Sequence, residues 1–137
     1  MKTKTTDLSR FSRCLIRQAP VVNTPEEKVR QALLFKMIHQ LGFPKGLVSV
    51  ERSIGKRRTD IVCYAKNMAP LLLVECKAIS LNEAAIQQAL GYNETVGAPF
   101  ICLANTDEEM TVWFEMNMRK SVPFLPIYQE LCRAARM

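Results

Sequence analysis

Two runs of sequence decide the fold: Thr59-Asp60-Ile61-Val62-Cys63-Tyr64-Ala65 and Leu71-Leu72-Leu73-Val74-Glu75-Cys76-Lys77-Ala78. Both are short and apolar, and the stretch between them, Lys66 to Pro70, is a turn. A link that short joins antiparallel strands and is too short for a parallel crossover. Side chains alternate along a strand, so Glu75 and Lys77 share a face with Leu71 and Leu73. A face that begins apolar and ends with a carboxylate and an ammonium meets solvent at a cleft. Asp60 opens the first run, and antiparallel pairing brings it near Glu75 across the ladder.

Two carboxylates converging at the open end of a small sheet suit Mg²⁺, a hard cation that takes oxygen ligands and keeps waters. The backbone carbonyl of Cys76 is a candidate third oxygen. Lys77 is placed to orient or help deprotonate a water on the metal and to offset phosphate charge. Each piece also has a plainer account. Glu75 and Lys77 fit a strand-end ion pair, and Asp60 fits a hairpin-end residue paired with Arg57 or Arg58.

Outward from this hairpin, Leu47 to Ile54 reads as a preceding strand, joined through a Gly55-Lys56-Arg57-Arg58 turn. Before it, Thr24 and Pro25 mark a helix start, and Val29, Leu33, Leu34, Met37, Ile38 and Leu41 follow at helical spacing to Gly42. Thr24-Pro25-Glu26-Glu27 has the form of a capping box, with Glu27 reaching back to the Thr24 amide. After the hairpin, Ser80 to Val96 is helical, and Gln88 and Tyr92 share one of its faces. Phe100 to Ala104 is a strand reached across that helix, hence parallel to the run ending at Ala78. A last strand is expected at Thr111 to Met116. Residues 117–125 read as irregular because of Pro123, and Pro126 to Met137 as a closing short helix. The order is α-β-β-β-α-β-β, a mixed sheet flanked by helices. Residues 1–22 form a basic extension with a short helix near Leu8 to Ile16, 23–116 the core, and 117–137 a basic C-terminal segment.

The 137 residues, 48% of them hydrophobic, fit one core and leave little room for a second. No run approaches the ~20 apolar residues of a membrane span. The first twenty residues carry charges throughout and lack a secretory signal's apolar stretch, which points to the cytoplasm. Cys14, Cys63, Cys76, Cys102 and Cys132 are odd in number and scattered, which disfavours a disulfide framework or a zinc site. The single histidine, His39, reads as a surface or helix-end residue.

The net charge of +6 is uneven. Residues 1–22 hold Lys2, Lys4, Arg10, Arg13 and Arg17 against Asp7, a balance of +4, and 119–137 hold Arg119, Lys120, Arg133 and Arg136 against Glu130, a balance of +3. The middle is left at −1. Basic ends suit a polyanion such as nucleic acid, and they equally suit solubilising flanks.

These pieces in this order resemble the PD-(D/E)xK nuclease superfamily, and more closely the N-terminal nuclease domain of type I restriction enzyme R subunits and its free-standing versions. The matching stretches are Thr24 to Gln31, Leu41-Gly42-Phe43-Pro44-Lys45, Lys56 to Val62, Leu73 to Ala78, Gln88-Ala89-Leu90-Gly91-Tyr92-Asn93 and Ala98-Pro99-Phe100. Together they cover roughly residues 24–104 in register; no single motif is specific, but the ordered set is. The resemblance implies a restriction-endonuclease-like core and a Mg²⁺-dependent DNA endonuclease, with Mn²⁺ able to substitute. It implies Asp60, Glu75 and the Cys76 carbonyl as metal ligands and Lys77 as the catalytic lysine. Glu27 matches the acid contributed by the first helix, with Glu26 the second choice. Gln88 and Tyr92 match a Q-x-x-x-Y element beside the site that helps hold substrate. Lys56, Arg57, Arg58 and the basic ends would grip the DNA backbone.

In one respect the sequence departs from R subunits: it holds no G-x-x-x-x-G-K-[ST] loop and so no nucleotide-driven motor of its own. The domain is expected to work alone, to use a separate motor or specificity protein, or to keep the fold for another task. The alternative activity is a DNA-binding or partner-docking module with a weak or unused site. An apolar, solvent-facing side at Phe124, Leu125, Ile127 and Leu131 would favour a homodimer or a docking role.

Overall fold

The structure, a computed structural model, describes residues 11–13, 20–22, 24–54 and 57–136, with side chains for 24–50 and 60–136. In chain order the elements are β1 (Phe11–Arg13), β2 (Pro20–Val22), α1 (Pro25–His39), a 3-10 turn (Lys45–Leu47), β3 (Val48–Ile54), β4 (Arg57–Tyr64) and β5 (Pro70–Cys76). They continue with α2 (Glu83–Val96), β6 (Phe100–Ala104), β7 (Glu109–Glu115), β8 (Met118–Val122) and α3 (Tyr128–Ala135).

β3 to β8 form a six-stranded sheet in sequence order. All neighbours are antiparallel except β5 and β6, which run parallel because α2 carries the chain between them. β5 lies inside the sheet, and Leu71 to Cys76 are all buried. That explains its unbroken apolar run: a strand covered on both faces has no solvent side to make polar. On one face, Leu72, Val74 and Cys76 pack with Cys102 and Ala104 beneath Val29, Leu33, Leu34 and Met37 of α1 and Tyr128 and Leu131 of α3. On the other, Ala85, Ile86 and Ala89 of α2 cover Ile101, Leu103 and Val112. Val62, Leu73 and Ala98 make a smaller cluster there, with Tyr92 against it.

The helix ends follow the local chemistry. Thr24 Oγ1 caps α1 by accepting from the Glu27 amide at 3.0 Å. The helix stops at His39 rather than running to Gly42. Gly42 takes φ +76, and the Phe43 amide turns back to the Met37 carbonyl, seating Phe43 in the core at 2% exposure. His39 is exposed at the helix end, with its ring 4.5 Å from that of Phe35. Asn82 caps α2, and Gly97 ends it with φ +73.

Four further sequence expectations change. Residues 117–125 are not irregular: Met118–Val122 is β8, paired with β7 from Glu115↔Met118 to Thr111↔Val122. The turn is Met116-Asn117, both with positive φ, the twist a two-residue hairpin needs. The turn before β4 is shorter than Gly55 to Arg58, because Arg57 already pairs with Ile54 and Arg58 with Ser53. The helix expected near Leu8 to Ile16 is contradicted at Phe11–Arg13, which pairs as a strand with Pro20–Val22; the rest of that stretch lies outside the described residues. The C-terminal apolar residues, whose exposure would have favoured a homodimer or a docking role, are divided. Leu125 and Leu131 are core, while Phe124 and Ile127 are exposed. Cys63, Cys76 and Cys102 are free and buried, and burial holds all three thiols in the protonated form.

Candidate active site

The ladder sets up the site. Ile61 pairs with Val74, so the next residues outward are Asp60 and Glu75. Asp60 Oδ2 accepts from the Cys76 amide at 2.7 Å, while the Asp60 backbone hydrogen-bonds to the Glu75 carboxyl. Each acid is thus tied to the other's strand. Glu75 is only 4% exposed, yet its Oε2 has no hydrogen-bond partner. Burial, then the charge of Asp60, pushes the Glu75 carboxyl up to about 8, against the pull of Lys77. Burial also raises Asp60, opposed by the Cys76 amide and Arg30. Both directions follow from holding like charges together out of water.

Lys77 continues β5 by one residue, its amide donating to the Ala104 carbonyl at 2.8 Å. Its side chain is half-buried, and Nζ donates to Gln88 Oε1. Gln88 is otherwise exposed on α2, so the helix on the far face delivers one residue to the lysine. Tyr92, a turn later, is half-buried against the Val62, Leu73 and Ala98 cluster. Asn93 fixes that end of α2 through two bonds to Ala98: its Nδ2 donates to the carbonyl at 2.7 Å, and its Oδ1 accepts from the amide at 2.9 Å.

α1 approaches from the opposite face. Only half of the expected capping box forms, because the Glu27 carboxyl turns inward. It is 2% exposed and paired with Arg30 Nη2 and Gln31 Nε2. Arg30, itself 8% exposed, reaches on to Asp60, with Nη1 2.8 Å from Oδ1. Sequence reasoning gave Arg30 no role. The available signal was a charged residue three after Glu27, next to Val29 and on the side of the helix that faces the core. Glu26 is exposed, and its negative charge raises both Asp60 and Glu75.

Asp60, Glu75, Lys77, Gln88 and, through Arg30, Glu27 therefore gather around one end of β4 and β5. Tyr92 packs against Val62, Leu73 and Ala98. Lys56 lies outside the described residues, and so do the side chains of Arg57 and Arg58.

Among the described residues no group of three His, Cys, Asp or Glu side chains is placed to hold a metal. The expected donors are the Asp60 and Glu75 carboxylates and the Cys76 backbone carbonyl. An all-oxygen set with a buried, unpartnered carboxylate oxygen fits a hard divalent cation such as Mg²⁺.

The sequence pattern of the type I restriction enzyme R protein N terminus matches residues 25–126. None of the curated proteins matches the chain. Among solved structures, the chain is similar to a fragment of a putative HsdR subunit of a type I restriction enzyme from Vibrio vulnificus YJ016. The TM-score is 0.55 and the identity 17%, over 77% of this chain and 24% of that one. The shared fold is a mixed sheet between helices, as expected for a restriction-endonuclease-like core, and this chain spans about a quarter of the matched structure. With the pattern matched over most of its length, the chain belongs to the family of type I restriction enzyme R protein N-terminal domains.

Proposed function

We propose that this domain hydrolyses phosphodiester bonds in DNA as a divalent-metal-dependent endonuclease, using Mg²⁺ or, in its place, Mn²⁺. One observation carries the reading. Glu75 is buried with an unpartnered oxygen beside Asp60, an arrangement that destabilises the fold unless a cation joins it. Asp60, Glu75 and the Cys76 carbonyl would hold the ion. When bound, it supplies charge that stabilises the developing phosphate anion and makes water more acidic.

The remaining work falls to side chains of the chain itself. Lys77 offers an ammonium to a phosphate oxygen, and Gln88 keeps that ammonium at the site. Glu27 and Arg30 hold Asp60 in place from α1. Gln88 and Tyr92 would border the substrate. Lys56, Arg57, Arg58 and the basic ends would bind the DNA backbone, with steep salt dependence and little sequence preference. A separate motor or specificity protein of a restriction system, or a second copy of the chain, would complete the machine in the cytoplasm.

One feature favours a second reading. Both Asp60 oxygens already have partners, Arg30 on one and the Cys76 amide on the other. A site closed in this way would leave a DNA-binding or partner-docking module. Asp60→Ala separates the two. The nuclease reading expects cleavage to fall at least ~100-fold with DNA affinity within about threefold of wild type. Equal cleavage by wild type and variant, or none by either, supports the binding module.

A further inference from the structure

α1 brings an arginine, rather than a bare carboxylate, to the acids of the hairpin. Arg30 is buried between Glu27 of its own helix and Asp60 of the hairpin: Nη2 pairs with Glu27 Oε1, and Nη1 lies 2.8 Å from Asp60 Oδ1. The second oxygen of Glu27 accepts from Gln31. Glu27 therefore presents no unengaged oxygen to a cation, while Glu75 does.

Resting on the metal-site reading above, we infer that the site takes one divalent cation and not two, because the Arg30 guanidinium serves as its second cation. Charge balance supports this. Glu27, Asp60 and Glu75 carry three negative charges when ionised, and Arg30 cancels one. A single divalent ion neutralises the rest, leaving the Lys77 ammonium to meet one phosphodiester charge. A second divalent ion would leave the cluster two charges positive in a pocket where Glu27 and Glu75 are 2% and 4% exposed. Arginine suits the place because its planar fork donates to two carboxylates at once and does not lose its proton.

The inference is tested by counting bound Mn²⁺ on the full chain, by calorimetry and by the spin-resonance signal of the free ion. Glu75→Gln serves as the background for ions bound elsewhere. One ion per chain is expected for wild type, two for Arg30→Ala, where Glu27 and Asp60 are released, and one again for Arg30→Lys. Two ions on wild type, or one on Arg30→Ala, would overturn the role of Arg30 while leaving the metal site standing. No ion on wild type would reject the metal site itself, and this inference with it. Thermal melts report whether Arg30→Ala folds; if it does not, Arg30→Gln, which keeps donors without the charge, takes its place with the same expected count of two.

Discussion

Glu75 shows how the site works against the fold. Its carboxyl titrates near 8 in the folded chain against an ordinary 4.5, so the folded state holds its proton more tightly than the unfolded state does. The stability this contributes is fully present below pH 4.5 and is lost as pH rises through about 8. Glu75→Gln removes the ionisation. In EDTA the variant should be more stable than wild type by up to ~5 kcal/mol at pH 8.5 and by under ~1 kcal/mol at pH 5. Urea melts at the two pH values check this, and a variant less stable at pH 8.5 would contradict it. At this scale Asp60, Glu75 and Lys77 were legible, because period-two alternation and a short hairpin leave little freedom in where they point. Arg30 was not, because three residues after Glu27 a helical arginine reads as a solvated ion pair. Only the tertiary fold shows that both partners are buried and that Asp60 lies beyond them.

Within the six-stranded sheet, β8 is the strand the sequence hid. Residues Met118 to Lys120 are exposed, and so is Ser121, which erases the alternation that marks a half-buried strand. Its turn carries Met116 and Asn117 at φ 52 and 65 without a glycine to announce them. The Met116 side chain is 96% exposed, so replacing it sacrifices little contact. Met116→Gly should relieve the left-handed backbone and stabilise the protein by ~0.5 kcal/mol, after the extra freedom of glycine in the unfolded chain is counted. A shift of the urea midpoint to lower concentration would contradict it. The strands β4, β5 and β6 were legible because each is a compact apolar run bounded by turn residues. α1 was legible from its cap and its apolar stripe, although Gly42 marks the end of the turn after the helix rather than the helix itself.

Across the whole molecule, the layered arrangement brings distant parts of the chain to one place. β4 and β5 supply Asp60, Glu75 and Lys77; α1 reaches the same edge from one face with Glu27 and Arg30, and α2 from the other with Gln88. The parallel step from β5 to β6 makes this possible, since it places α2 across the sheet from α1. That topology was legible from element order alone, because a helix between two apolar runs forces a crossover. The packing of the last segment was less so: α3 is tied to the turn after α1 by its Tyr128 amide on the Leu41 carbonyl and to β4 by the Tyr128 hydroxyl on the Tyr64 carbonyl, contacts that no local pattern announces. Cleavage of DNA at this end of β4 and β5 is tested by removing Lys77, which is half-exposed, so that its loss leaves the core intact. The measurement is plasmid nicking by wild type and Lys77→Ala with Mg²⁺, Mn²⁺ or EDTA. Wild type should nick with either metal and not in EDTA, and the variant should lose at least ~100-fold. Nicking that survives EDTA or is unchanged in Lys77→Ala, or no nicking by wild type under any condition, would contradict it.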